Sequence, residues 1–543
     1  MRDGPFFNLV EEIESPDLLK QMFHSPDNSH SPILINNNSD FTVQAAIENW
    51  TGDGTISNPY VIEGVTFQGD NHLIEIRNTN VYFIIRNCIL SQASSAFYLY
   101  QVSNGHLFNN TIVEGAIFLE NSEYNSLSNN TVVNSNLRGI YLSHSGNNVL
   151  SNNLVTTCDE VGIHLYFSPH CTLSHNTVTG NARTGILADF SDNSALQNNI
   201  VTNNREEGIC LYFSENCSVT DNFLMNNREQ GIRLHRSANN VITNNDLGNN
   251  WFTVSGGSLK HFIQAEIANN VINGKPLIYL QHVIGGSVPY GAGAIILVNS
   301  SFISVSGQRV VGIQGFFCSH LSIQTNVVLN SSNGIQLQFS NTSVISSNYV
   351  DSSNDVGIRI GVSRGIVLLN NTVSKSTMEG IGLYSSENST LTNNTVTFNS
   401  REGIYLYDSE NSTLINNTVS NNNMDGIRLN TAGNSTLLNN TVINNNEEGI
   451  YLYRSGNITA RYNILVNNSF SVSGWLLEHY IQTEFTNNLI NNKLLVYWQH
   501  VTNQLIPPGA GMVILVNCSL ISVINQQLVG ILGAFSSHLF FRV

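Results

Sequence analysis

The chain has 543 residues, 41% hydrophobic and only 11% charged. That leaves too little charge for a disordered polyampholyte and enough Val, Ile and Leu for a long core. A formal net charge of −16, with only five lysines and no basic stripe, excludes nucleic acid and anionic membrane surfaces as partners.

In chain order, the opening NLVEEIESPDLLKQMF contains Ser15-Pro16-Asp17, a helix start followed by amphipathic spacing. It predicts a short helix capping one end of the core. A Gly-Asp turn in WTGDGTISNPYVIEGVTF then leads into the first strands, so residues 1–54 read as cap and lead-in.

After that a clock starts. A glycine preceding Ile or a similar residue falls at Gly139, Gly162, Gly185, Gly208 and Gly231, then at Gly334, Gly357, Gly380, Gly403, Gly426 and Gly449. Every interval within the two runs is 23 residues, the mark of a solenoid. In GIYL, Ile404 and Leu406 point one way, and Tyr405 and Tyr407 the other. Leu414 and Val419 supply the inward residues of two further short runs. Nothing in the period is long enough for a helical return. The expected fold is all-β: a single-stranded parallel β-helix of about 20 coils, right-handed as parallel crossovers are.

Asparagine, with 81 copies, recurs with the same period at Asn371, Asn394, Asn417 and Asn440, and at Asn153, Asn176, Asn199, Asn222 and Asn245. Asn tolerates left-handed backbone at a corner, and stacked amides can pass hydrogen bonds from coil to coil. Many of these spell Asn-x-Ser/Thr, but the repeat itself generates that pattern.

A larger repeat also runs through the chain. FTVSGGSLKHFIQAEIANNVINGKPLIYLQHV from Phe252 returns at an offset of 218 as FSVSGWLLEHYIQTEFTNNLINNKLLVYWQHV from Phe470. Residues 55–320 and 321–543 therefore read as two modules, with irregular segments at 251–311 and 469–529. Wider coils are expected there, with a loop near Pro289 or Pro507-Pro508. The final SSHLFFRV is apolar and uncapped, an end that either continues in the natural chain or docks on something.

Seven irregularly spaced cysteines give no disulfide framework. Cys171 and Cys217 share a repeat position two coils apart, roughly 9–10 Å at strand spacing, too far to bridge. No run of 18 apolar residues and no leader at Met1 appear, so the sequence alone leaves open an intracellular chain or one with an upstream leader.

The repeats NNTV…GIYLY.S.NSTL.NNTV resemble the parallel β-helix repeats of the carbohydrate-binding and sugar-hydrolase (CASH) class. With NVINGKPLIYL and GAGAIILVN they look like the NosD-type proteins of bacterial periplasms and archaeal surfaces. The likeness covers nearly all of the chain after residue 55 and implies an extracellular, periplasmic or cell-surface location. It implies the fold more strongly than the function, since one fold hosts many activities.

The residues flanking each glycine are the candidate site. Glu207, Glu379, Glu402, Asp425 and Glu448 precede it, and His164, Tyr166, Arg233, His235, Arg359, Tyr384, Tyr405, Tyr407, Arg428, Tyr451 and Tyr453 hold the outward positions after it. Stacked coils would align them into a stripe whose phenol faces pack on sugar rings and whose charges bind hydroxyls. A polysaccharide or surface glycan lying along the stripe is the expected partner, bound without catalysis. The alternative is a lyase, epimerase or hydrolase on the same face, with Glu402, Asp425 and Arg428, or Glu207, Arg233 and His235, as acid–base groups. Asn-Thr-Asp, Gly-His-Gly and Asp-Pro-His-Glu motifs of polyuronate enzymes are absent. A structural surface spacer would need no ligand.

No cofactor is expected, with calcium added only for a lyase. The NosD likeness raises copper, for which His261, His282 and His320, or His479, His500 and His538, are the available donors. Their spacing lacks the tight clustering of a copper site, so no metal site is expected. Oligomeric state is left open.

Overall fold

A computed structural model describes residues 29–69 and 71–542. The chain divides into two compact units, one ending at Cys217 and one beginning at Ser218. Between them they complete about 19 turns with very little helix, close to the 20 coils expected.

The N-terminal unit is built from triplets of short parallel strands. Ile140–Ser143, Val149–Ser151 and Leu154–Thr156 make one coil, each lying in its own sheet. The next copies, Ile163–Tyr166, Thr172–Ser174 and Thr177–Thr179, pair with them in register, with Ile140 opposite Ile163, Leu150 opposite Leu173 and Val155 opposite Val178. These aliphatic side chains are fully buried, each worth about 1.5–3 kcal/mol. The helix expected after Ser15 lies outside the described residues. A described helix, Asn38–Glu48, packs on this core. Asn37 caps it by accepting from the Asp40 N–H, and its buried Phe41 stacks on Tyr60 at 5.0 Å and packs on Phe83 at 5.2 Å.

The C-terminal unit repeats the plan. Ile404–Tyr407, Thr413–Ile415 and Thr418–Ser420 bury Ile404, Leu406, Leu414 and Val419 and expose the alternate positions. The glycine clock here is steric. A Cβ on Gly403 would stand 2.7 Å from both the Gly426 carbonyl and the Asn422 amide nitrogen.

The Asn-Asn pairs divide two jobs that the sequence reading gave to one residue. The first of each pair, Asn393, Asn416 or Asn439, takes the left-handed corner, with φ of 55°, 55° and 54°. The second is fully buried in the ladder. Asn394 donates to the Leu368 carbonyl and to Asn417 Oδ1, both at 3.0 Å, while its own Oδ1 accepts from the Asn371 backbone and side chain.

The irregular segments differ from expectation. Val271–Ile272 turns back antiparallel onto Lys275–Gln281 through Asn273 and Gly274, both at positive φ, and Ile490 and Lys493 repeat this hairpin. Left-handed backbone at both central residues is what a tight two-residue turn demands. The coils that follow are narrower rather than wider: Leu277 pairs with Ala294 and Ile295 with Ile313, 17 and 18 residues on. All seven cysteines are buried and unbridged.

Candidate functional site

In each unit, the outward side chains of the sheet containing the Gly-Ile strands fall into two registered rows. In the N-terminal unit one row runs Glu75, Tyr98, Phe118, Tyr141, His164. Its rings follow one another coil by coil, tilted from Tyr98 to Phe118 and stacked from there on, with centroids 5.2 Å apart from Tyr98 to Phe118, 4.9 Å to Tyr141 and 5.2 Å to His164. Alongside run Arg77, Tyr100, Glu120, Ser143, Tyr166 and Asp189. Tyr98 donates its hydroxyl to Glu120 at 2.6 Å, and burial, reinforced by Glu120, pushes this phenol up to about 12.

His164 and Tyr166 therefore sit where the stripe requires, but His164 is only 6% exposed. Neither ring nitrogen has a hydrogen-bond partner, and Asp189 stands 4.0 Å from Nε2. Burial first, then the nearby Arg138 charge, lowers its pKa to about 3, so the imidazole is neutral at ordinary pH. Tyr98, Phe118 and Tyr141 went unread in the sequence. Phe118 follows Tyr98 by 20 residues, and Ala116 stands where the clock glycine would be.

In the C-terminal unit the rows are Arg359, Gly382, Tyr405, Arg428, Tyr451 and Gly361, Tyr384, Tyr407, Asn430, Tyr453. Cations and rings alternate. The Arg359 guanidinium lies 4.6 Å from the Tyr384 ring, and Arg428 lies 5.9 Å from Tyr405 and 5.0 Å from Tyr451. Arg233 and His235 are outward positions of this unit, opposite Thr253 and Ser255, and His235 contacts the Ser255 hydroxyl at 3.0 Å.

The carboxylates before the glycines lie beneath the rows rather than in them. Glu379 and Glu402 are 2% exposed and Asp425 is fully buried. Arg401 reaches Glu379 at 3.3 Å and Glu402 at 3.7 Å; Arg428 reaches Glu402 at 3.3 Å and Asp425 at 3.4 Å. Burial, reinforced by Glu448, pushes the Asp425 carboxyl up to about 8. Glu448 is half-buried and donates its backbone N–H to Asp425 at 3.1 Å. In the N-terminal unit Glu207 is likewise buried, accepting from Thr184 at 2.8 Å. Alternation fixes direction within a strand, but these residues stand in the corner before it.

The histidine sets are not drawn together. His261 contacts Ser258, His282 contacts Asn299 and His320 stacks on Phe302. His479 accepts from the Trp475 and Leu476 backbone and His500 contacts Asn517. Among the described residues, the one trio of possible ligands within 4.8 Å of one another is Asp425, Glu447 and Glu448.

A family model for the right-handed β-helix region matches residues 27–189 and 333–490, and one for the periplasmic copper-binding protein NosD matches residues 159–284. No curated protein matches. Among solved structures, a point mutant of the periplasmic alginate epimerase AlgG is 13% identical, with 66% of this chain and 77% of that chain covered and a TM-score of 0.30. The A-module of the Azotobacter vinelandii mannuronan C-5 epimerase AlgE6 is 13% identical, with 82% and 98% covered and a TM-score of 0.28. A mutant of the PL6 family alginate lyase AlyGC is 10% identical, with 94% and 100% covered and a TM-score of 0.30. Likenesses this distant carry no argument about activity. Among the described residues of the stretch matching NosD, no three His, Cys or carboxylate ligand atoms lie within 4.8 Å of one another, and Cys171 and Cys217 are buried.

Proposed function

Because the chain belongs to the right-handed β-helix family, we propose that it uses its regular coils to display a binding surface, and that this surface holds a polysaccharide without turning it over. The observation that carries the reading is the registered row of rings, Tyr98, Phe118 and Tyr141, at 4.9–5.2 Å spacing. The second unit supports it with tyrosines interleaved by guanidiniums. The stacked rings turn their faces to one another and present a continuous ladder of apolar edges and phenol hydroxyls to a sugar, and a repeated site gains from multivalency on a polymer. Buried carboxylates already engaged by Arg401 and Arg428 favour binding over acid–base chemistry. The periplasmic family match supports a periplasmic or cell-surface location. No described helix is long and apolar enough to cross a membrane.

Catalysis on the same face is the second reading, favoured by a carboxyl held near neutrality, Asp425, beside Arg428. Incubation with a panel of polysaccharides, with and without calcium, separates the two when both retention and released products are measured. Retention without products is expected. Products that disappear in Asp425→Asn or Glu402→Gln would replace binding with catalysis, and neither retention nor products would leave a structural spacer.

A further inference from the structure

Six cations of the C-terminal unit are tied to carboxylates, among them Arg359 to Asp355, Arg364 to Glu387 and Lys375 to Asp351. Lys275 and Arg309 form no ion pair among the described residues, although the Lys275 ammonium donates to the Arg309 carbonyl at 3.5 Å. Both line an open cleft of about 350 Å³ whose remaining wall is Trp251, asparagine amides and aliphatic groups, with no carboxylate. In a chain of net charge −16 that is an unusual local balance.

Beside the cleft, and sharing Trp251 and Val311 with it, lies a recess of about 20 Å³. It is lined by Thr253, Gln314 and Asn333, whose Oγ1, Oε1 and Oδ1 are buried and have no hydrogen-bond partner. Gln314 is 6% exposed. A buried acceptor left without a donor is costly, and the recess has room for roughly one water-sized group.

The internal duplication supplies a control. At the 218-residue offset Lys275 becomes Lys493, which also sits in the hairpin and donates to the Gln527 carbonyl at 3.3 Å. Yet Trp251 becomes Ser469, Arg309 becomes Gln527 and Gln314 becomes Leu532. The scaffold is built twice, and the ring, the second cation and the buried amide are present once. Folding does not require them.

We propose that this cleft binds an acidic saccharide. Its anionic group, a carboxylate, sulfate or phosphate, lies between Lys275 and Arg309, its ring lies against Trp251, and one hydroxyl enters the recess to donate to the orphaned oxygens. The site is separate from the tyrosine rows and stands whether or not those rows hold a polymer.

The test is calorimetric titration of the full chain with a trisaccharide of uronic acid, a sulfated trisaccharide, a phosphorylated trisaccharide and a neutral trisaccharide. One equivalent of at least one acidic ligand should bind, weakening with added salt, and the neutral one should bind at least about tenfold more weakly. The ranking of the acidic ligands identifies the anionic group. Arg309→Gln and Trp251→Ser, the letters the second copy already carries, should each cost about tenfold with the melting temperature unchanged. Equal binding of the neutral ligand, no binding of any acidic one, or full affinity in Arg309→Gln would overturn the proposal.

Discussion

Asp425 and His164 carry opposite consequences of burial. The Asp425 carboxyl, raised from 3.8 to about 8, binds its proton more tightly in the native state than in the unfolded chain. The stability it contributes is full below pH 3.8 and drains away as pH rises toward 8. Asp425→Asn keeps a neutral partner for Glu448 and should flatten the decline in denaturation midpoint between pH 4 and 8; an unchanged slope would mean the carboxyl is ionised. His164, lowered from 6.5 to about 3, contributes stability above pH 6.5 that is lost as pH falls toward 3. His164→Phe would extend the ring row and remove two unpartnered nitrogens. Urea denaturation at pH 5 should find the variant more stable than the parent, and a less stable variant would show that the imidazole has a partner in solution.

The coil is the element that the sequence expresses most clearly. The 23-residue glycine clock, the inward Ile, Leu and Val, and the recurring Asn all become what their spacing implies, because each coil sees nearly the same neighbours. The division of labour within Asn-Asn has measurable consequences. Asn394→Ala strands the Asn371 amides and the Leu368 carbonyl and should cost about 3 kcal/mol, whereas Asn393→Gly, at a left-handed corner, should cost under about 1 kcal/mol in the same denaturation experiment. Gly403→Ala should cost about 1–3 kcal/mol by overpacking against Gly426 and Asn422. Where the period breaks, legibility falls. The hairpin at Asn273-Gly274 was spelled by its own turn residues but masked by the expectation of parallel coils. Tyr98 and Phe118 were hidden by a 20-residue coil without the clock glycine, although Tyr141 stands two residues after Gly139 as Tyr405 does after Gly403, and the burial of Glu379, Glu402 and Asp425 depends on corner geometry that strand alternation does not encode.

At the scale of the whole molecule, many of the chain's few cations are held in local pairings. Row tyrosines meet Arg428 and Arg359, and one cleft keeps Lys275 and Arg309 unpaired. Binding along the rows should therefore depend weakly on salt, and binding in the cleft strongly. Each row repeats a similar contact from coil to coil, so a polymer-binding account predicts gains with ligand length that a single pocket would not give. The most direct measurement takes the polysaccharide that the panel retains. Dissociation constants are then determined for its oligomers of increasing length against the parent, Tyr98→Ala/Tyr141→Ala and Tyr405→Ala/Tyr451→Ala. Affinity should rise with length in the parent and rise less in each paired variant, with no product released. Affinity independent of length, or unchanged by both pairs of substitutions, would contradict the claim that these rows hold a glycan.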